Sequence, residues 1–385
     1  MIPYGRQSIS EADIEAVVEV LRSDFLTQGP QVPAFEEALA KCVGADFAVA
    51  VNSATSALHI ACLALELGPG DWLWTSPNSF VASSNCALYC GAQVDFVDID
   101  PQTYNLCPQA LKSKLKDAKK HGRLPKVVVP VHFAGQSCDM ESISALAKEF
   151  GFRILEDASH AIGATWHKHK VGSCFYSDMT VFSFHPVKII TTAEGGCVTT
   201  NDPKLARHLT ELRSHGITRK TALMTRCEEG DWYYEQQKLG YNYRLTELQA
   251  ALGLSQLGRL QEFIQGRHNI AAKYDSALKD LPLVLPWQQQ DSYSAFHLYV
   301  VQIIDTAPLD RRMLFDKMRA EGISVNVHYI PIHTQPYYIN LGFKHNEFPI
   351  AEKYYHHTLS LPIYPDLSMA DQDFVISCLK KALAK

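Results

Sequence analysis

Ser183-Phe184-His185-Pro186-Val187-Lys188-Ile189-Ile190-Thr191-Thr192-Ala193-Glu194-Gly195-Gly196 decides how this chain is read. The run that leads into it, Met179-Thr180-Val181-Phe182-Ser183-Phe184, reads as a strand. Lys188 therefore stands just past a strand's carboxyl end and ahead of a Glu-Gly-Gly turn, the usual place for chemistry in α/β proteins. A lysine there is a candidate for Schiff-base chemistry. Taken alone, it reads as one of the solvated charges that most lysines are.

Its neighbours alter that reading. Phe152-Arg153-Ile154-Leu155 is another apolar strand, and it delivers Glu156-Asp157-Ala158-Ser159-His160 at its carboxyl end. A pyridoxal phosphate site needs a lysine for the imine, an aspartate that keeps the pyridine nitrogen protonated, and hydroxyl or backbone donors for the phosphate. Lys188, Asp157 and Ser183 are candidates for those parts.

With Glu156-Asp157-Ala158-Ser159-His160-Ala161-Ile162-Gly163-Ala164, Ser183 to Lys188, and Thr192-Ala193-Glu194-Gly195-Gly196 in this order, the chain resembles the DegT/DnrJ/EryC1/StrS family of nucleotide-sugar aminotransferases over nearly its whole length. The resemblance implies an α/β pyridoxal-phosphate-dependent transferase of fold type I, the aspartate aminotransferase-like fold. A large, mostly parallel sheet domain with an N-terminal helical segment is expected over residues 1–258, and a smaller C-terminal α+β domain over residues 259–385. Lys188 and Asp157 are the implied catalytic pair. The implied cofactor contacts are Ala54, Thr55, Phe80, Asp157, His160, Ser183, Lys188 and Asn242. Tyr4, Leu26, Thr27, Ala54, Ser183, Asn242, His328, Tyr329 and Ile330 are the implied substrate contacts. His160 matches a position that hydrogen-bonds the cofactor's phenolic oxygen and is often Gln elsewhere. Lysine at position 188, where the family's dehydratase branch carries histidine, implies transamination. Asn242 matches a residue that reaches the neighbouring subunit's cofactor phosphate, so a homodimer with shared active sites is expected.

Tyr4, Asp24-Phe25-Leu26-Thr27-Gln28-Gly29, Asn52-Ser53-Ala54-Thr55-Ser56-Ala57-Leu58 and Asp231-Trp232-Tyr233-Tyr234 are most similar to the family's pseudaminic-acid branch. That likeness implies transfer of an amino group from L-glutamate to C4 of a UDP-linked 4-keto-6-deoxy-N-acetylhexosamine. A UDP-4-keto-pentose or another UDP- or dTDP-linked 4-keto-6-deoxyhexose is the alternative substrate, and a noncatalytic sensor on the same fold is the alternative class.

Composition bounds the rest. The chain has 385 residues, 46% of them hydrophobic, enough for a large core. A formal charge of −5 without a long basic run argues against nucleic acid as partner. No stretch approaches the ~20 apolar residues of a membrane span, and the N-terminus lacks a secretory leader's pattern, so a cytoplasmic location is expected. The ten cysteines include no Cys-x-x-Cys pair and read as reduced thiols; Cys86 and Cys90, four apart, read as packing on one helix face.

In chain order, Ser10-Glu11-Ala12-Asp13 resembles a capping box, and Ile14, Val17, Val18 and Leu21 form the stripe that the first helix should bury. Phe47-Ala48-Val49-Ala50-Val51 empties into Asn52-Ser53-Ala54-Thr55, a helix start that reads either as an anion cradle or as simple capping by Ser53 or Thr55. Phe80 stands at another strand-to-helix junction, to lie over a planar ring or to pack in the core. Strand and helix continue to alternate through Asp157, which implies a doubly wound, mostly parallel sheet; no Gly-x-Gly-x-x-Gly follows the first strand, which weakens a dinucleotide reading. Residues 210–243 read as a functional loop or flap. Arg244 reads as an ion-pair partner at a helix start. Later, residues 294–301 and 324–329 are expected strands on either side of a helix. His328 and His333 lack a third ligand in sequence reach, so substrate binding is favoured over a metal and none is expected.

Overall fold

The computed structural model describes residues 1–226 and 230–384. Seven strands form the central sheet: β1 (Phe47–Val51), β2 (Trp72–Thr75), β3 (Gln93–Phe96), β4 (Val127–Val129), β5 (Arg153–Asp157), β6 (Met179–Ser183) and β7 (Gly196–Thr200). Their spatial order is β1-β7-β6-β5-β4-β2-β3. The run from β3 to β6 pairs in parallel, while β7 is antiparallel to both β6 and β1. The sheet is therefore mostly parallel, with one reversed strand. Β-branched runs suit it because both faces are covered: Val127 and Val129 enter one apolar core, and Val128 enters another.

The helices of this part are α1 (Glu11–Leu21), α2 (Gln31–Val43), α3 (Ala54–Ala64), α4 (Ala82–Tyr89), α5 (Pro108–Lys120), α6 (Met140–Phe150), α7 (Pro203–Arg213) and α8 (Glu247–Gly258). The capping box of α1 is present, with Asp13 N–H donating to Ser10 Oγ at 3.3 Å and Ser10 N–H donating to Asp13 Oδ2 at 2.8 Å. The apolar stripe expected to face the core does not. Ile14 is 47% and Leu21 58% exposed, while Asp13 and Val20 are buried. The cause is polar: Asp13 also accepts from Ser255 Oγ at 2.6 Å and Gln256 Nε2 at 2.7 Å, which turns its own face onto α8. A buried carboxylate with several donors fixes the rotation more firmly than the half-buried Val17 and Val18 could oppose.

Between α7 and α8 the segment read as a loop contains a short hairpin, β8 (Ile217–Thr218) with β9 (Glu235–Gln236). After α8 come α9 (Leu260–Leu278) and a three-stranded antiparallel sheet, β10 (Leu283–Val284), β11 (Tyr299–Ile303) and β12 (Thr358–Leu361). With α10 (Arg311–Ala320) and the last helix, Met369–Leu383, this sheet encloses its own core around Tyr274, Tyr299, Leu314 and Leu379. The strand expected over residues 324–329 does not form. Its backbone is shared between partners, Ser324 N–H donating to Ile2 and Asn326 N–H to Ser360, so no single ladder runs along it. Among the described residues no helix is long and apolar enough to cross a membrane.

Candidate active site

The carboxyl ends of β5 and β6 and the start of α3 meet at a cavity of about 350 Å³. Its walls bring together Tyr4, Ala54, Thr55, Phe80, Asp157, His160, Ser183, Lys188, His328 and Tyr329 from the sequence candidates. Leu26, Thr27, Asn242 and Ile330 are exposed and do not line it within one chain.

Asp157 closes β5 and is buried. Ser83 Oγ, on α4, donates to its Oδ2 at 2.7 Å, and Ser79 Oγ lies 2.7 Å from Ser83 Oγ. Ser159 donates twice to Oδ1, from Oγ at 2.6 Å and from the backbone at 3.1 Å. These donors hold the carboxylate in one orientation at the cavity wall. The preceding residue points away from the cavity and braces it: Glu156 Oε2 accepts from His132 Nε2 at 2.6 Å, and Oε1 accepts from the hydroxyls of Ser177 and Thr180. Because the Cys138 backbone N–H donates to His132 Nδ1 at 3.0 Å, the ring carries its proton on Nε2. Burial pushes the Glu156 carboxyl up, but the bonds from His132, Ser177 and Thr180 outweigh it and hold it below its usual range.

Lys188 lies in the loop between β6 and β7, where its backbone N–H donates to His185 O at 2.8 Å. Desolvation lowers its amine to about 8, opposed by the Asp157 charge. An amine so placed exchanges its proton near neutral pH.

Three histidines surround it without adding charge. Burial, then the nearby Lys188, holds His328 down at about 3, and burial holds His160 well below its ordinary value. His160 Nε2 lies 3.1 Å from Tyr329 Oη, and its ring packs on His297 with centroids 4.3 Å apart. His160 Nδ1 is buried with no partner. An unpaired buried nitrogen is costly, and a ligand with a polar atom in this cavity would satisfy it.

The opposite end is an anion cradle. Ser53 caps α3, accepting from Ser56 N–H at 3.1 Å, while the N–H groups of Ala54 and Thr55 belong to the first turn and have no intrahelical acceptor. The β7 backbone presses against this turn: a Cβ on Gly196 would sit 2.5 Å from Ala54 N. Free N–H groups, the Ser183 hydroxyl and the α3 dipole suit a phosphate. The lysine, the carboxylate, the unpaired imidazole nitrogen and this cradle fit pyridoxal phosphate.

Sequence reading missed Ser83 and His297. Ser83 lies within a serine-rich helix start that gives no hint of its target on a distant strand, and His297 is a lone histidine in an apolar run. Of the pair five apart, only His328 reaches the cavity; His333 is buried against Glu352, with Nε2 3.0 Å from Oε1. Among the described residues no group of three or more His, Cys, Asp or Glu is arranged to hold a metal ion.

Comparison with known proteins agrees with this geometry. The sequence profile of the DegT/DnrJ/EryC1/StrS aminotransferase family matches residues 7–380. The spore coat polysaccharide biosynthesis protein SpsC of Bacillus subtilis is 41% identical, over 98% of this chain and 96% of its own. The UDP-4-amino-4,6-dideoxy-N-acetyl-beta-L-altrosamine transaminase of Campylobacter jejuni is 36% identical, over 100% of this chain and 98% of its own. Among solved structures, Helicobacter pylori PseC, an aminotransferase involved in the biosynthesis of pseudaminic acid, superposes with a TM-score of 0.90 at 34% identity, covering 99% of each chain. Seven strands, one lysine loop and one buried aspartate thus converge with the comparisons: this chain belongs to the DegT/DnrJ/EryC1/StrS aminotransferase family, whose aminotransferases act on nucleotide sugars and depend on pyridoxal phosphate.

Proposed function

We propose that the chain transfers an amino group from L-glutamate to C4 of a UDP-linked 4-keto-6-deoxy-N-acetylhexosamine, in the cytoplasm, as a homodimer that binds pyridoxal phosphate. The observation that carries this reading is the meeting of Lys188, Asp157 and the α3 cradle in one cavity. Bound there, the cofactor supplies an electron sink and a carrier for the amino group. Lys188 Nζ would hold the cofactor covalently and, as a free amine, would take and return the proton. Asp157, gripped by Ser83 and Ser159, presents a fixed negative charge to the pyridine nitrogen. Ala54, Thr55 and Ser183 would hold the phosphate, Phe80 would lie against the ring, and His160 Nδ1 would serve the phenolic oxygen. Tyr4, His328 and Tyr329 close the substrate side.

Asn242, Leu26, Thr27 and Ile330, exposed in the single chain, serve the shared site in this reading, Asn242 at the neighbouring subunit's cofactor phosphate. In this reading the chain divides into domains at residues 258/259; α8 ends at Gly258 and α9 begins at Leu260. The nine described cysteines are free thiols, in keeping with the cytoplasm.

The acetamido sugar is supported by the likeness to the altrosamine transaminase and to PseC. The higher identity to SpsC favours a second reading, another nucleotide 4-keto sugar destined for a polysaccharide. Purified protein with cofactor, L-glutamate and a panel of UDP- and dTDP-linked 4-keto sugars decides between them by 2-oxoglutarate release and product mass. Selective turnover of the UDP-acetamido-4-keto sugar supports the first reading; turnover only of a keto-pentose or a dTDP sugar overturns it in favour of the second. Turnover by Lys188→Ala at the normal rate would remove Lys188 from its role.

A further inference from the structure

Outside the active site, the interface of α3 and α4 gathers three thiols and an imidazole. Cys62, on α3, and Cys86, on α4, belong to one core cluster against which Cys90 packs, and the Cys62 thiol interacts with both of the others. Cys86 and Cys62 are fully buried, and Cys86 Sγ donates to the Ser83 carbonyl of its own helix at 3.4 Å. Cys90 caps the C-terminal end of α4 and is half-buried, so of the three it is the one a small solute can reach. His59 stands one turn before Cys62 on α3 and beside Cys90.

The state of His59 is set by its partners. Its Nδ1 lies 3.2 Å from Tyr243 Oη, and its ring packs among Tyr89, Tyr241 and Tyr243. When the Tyr243 hydroxyl donates to Nδ1, the proton sits on Nε2. That Nε2 is buried without a partner. A thiolate on Cys90 is the acceptor that this orphaned donor lacks.

We propose that Cys90 and Cys62 are a reversible, hydroperoxide-responsive thiol pair whose disulfide joins α3 to α4. The Cys90 thiolate attacks a peroxide oxygen; an S–O bond forms, the O–O bond breaks, and the departing oxygen takes a proton to leave as water or alcohol. Cys62, giving up its proton, then attacks the sulfenic sulfur; the S–S bond forms, the S–O bond breaks, and water leaves. Two thiols are oxidised by two electrons and one peroxide is reduced. The environment divides these roles. Hydrogen bonding from Cys62 outweighs burial and, with His59, lowers the Cys90 thiol to about 6, whereas Cys62 is raised well above its ordinary value by its bonds to the other two thiols and by burial. Cys90 is thus the attacking group and Cys62 the resolving one. At pH 7 the lower value gives roughly 30-fold more thiolate than an ordinary cysteine, offset about tenfold by weaker nucleophilicity, a net gain of about threefold.

The test is peroxide titration of the holoenzyme followed by alkylation and peptide mass spectrometry. Trypsin leaves residues 42–112 in one piece, since no Lys or Arg lies between Lys41 and Lys112, so chymotrypsin is used. The expected result is a Cys62–Cys90 bridge, with loss of about 2 Da, reversed by dithiothreitol. Cys62→Ala should trap a dimedone-reactive sulfenic acid at Cys90, and Cys90→Ser should leave Cys62 reduced. Alkylation of Cys90 should level off above about pH 7. Half-buried Cys90→Ser keeps the test open should Cys62→Ala fail to fold. Preferential oxidation of Cys42 or Cys107, both also half-buried, would overturn the proposal, as would a Cys90 alkylation rate that climbs through pH 8.5 like a free thiol's.

Discussion

Lys188 should reveal its burial before any sugar is bound. In water a lysine amine titrates near 10.5, and desolvation in this cavity brings Lys188 to about 8. At pH 7 the neutral amine is then about 10% of the total rather than about 0.03%, a gain of roughly 300-fold in the form that attacks an aldehyde. Asp157 opposes the shift, since its negative charge favours the ammonium. Replacing Asp157 by Asn removes that support, and an opposite charge within about 4–6 Å is ordinarily worth 1–3 pH units, so the Asp157→Asn midpoint should fall to about 7 or lower. The assay is stopped-flow capture of pyridoxal phosphate by apoenzyme between pH 6 and 9.5, read as the midpoint of the rate rather than its amplitude. The midpoint is insensitive to the weaker anchoring that Asp157→Asn also causes. A wild-type midpoint near 10, or an Asp157→Asn midpoint above the wild type's, would refute the electrostatic account of this lysine.

Three further outcomes follow from the same geometry. Glu156→Gln keeps the size of the side chain but loses charge-assisted bonds among buried donors, about 2 kcal/mol, and should lower the thermal midpoint by about 2–3 °C at pH 7. Because the folded carboxyl of Glu156 is depressed, its contribution is present above its ordinary value of 4.5 and lost as pH falls through the folded value, so the gap between wild type and variant in scanning calorimetry should close as pH falls below 4.5. Gly196→Ala places a methyl 2.5 Å from Ala54 N, displacing the first turn of α3; cofactor affinity, measured by equilibrium dialysis, should drop by at least tenfold, about 1.4 kcal/mol. Asp13→Ala strips three donors of their acceptor at the α1–α8 contact and should cost about 3 kcal/mol, seen as early proteolysis of the N-terminal segment.

Where the sequence was informative, the signal was local. The alternation of apolar strands with helices foretold the sheet, since each strand buried on both faces must be apolar along its length, as Val127, Val128 and Val129 are. The α1 capping box was equally legible because its two partners are three residues apart. The same helix shows the limit: Ile14 and Leu21 suggested a core face, but Asp13 meets Ser255 and Gln256 from a helix more than two hundred residues away, and that meeting set the rotation. Residues 324–329 have the composition of a strand and are divided between Ile2 and Ser360, partners that periodicity does not disclose.

The candidate site divides along the same line. Lys188, Asp157 and the α3 turn were readable because each stands at a strand end, a position that the pattern fixes. Ser83 and His297 were not, because their roles exist only across space: Ser83 orients Asp157 from α4, and His297 reaches His160 from the segment before β11. The second contact has a consequence for how the cavity works. His160 stands on the large sheet's side of the cavity and His297 just before β11, so the two rings, in tilted contact, tie the wall around Asp157 and Lys188 to the elements that carry His328 and Tyr329. Arg267 reinforces that tie from below, its buried Nη1 donating to the carbonyls of Phe296, His297 and Ile363 at 3.0–3.2 Å. A charge buried among carbonyls, with no carboxylate paired to it among the described residues, holds those two segments of backbone at fixed spacing, because moving either of them would leave the guanidinium less satisfied. Tyr329 is thereby linked to α9, well outside the cavity it lines.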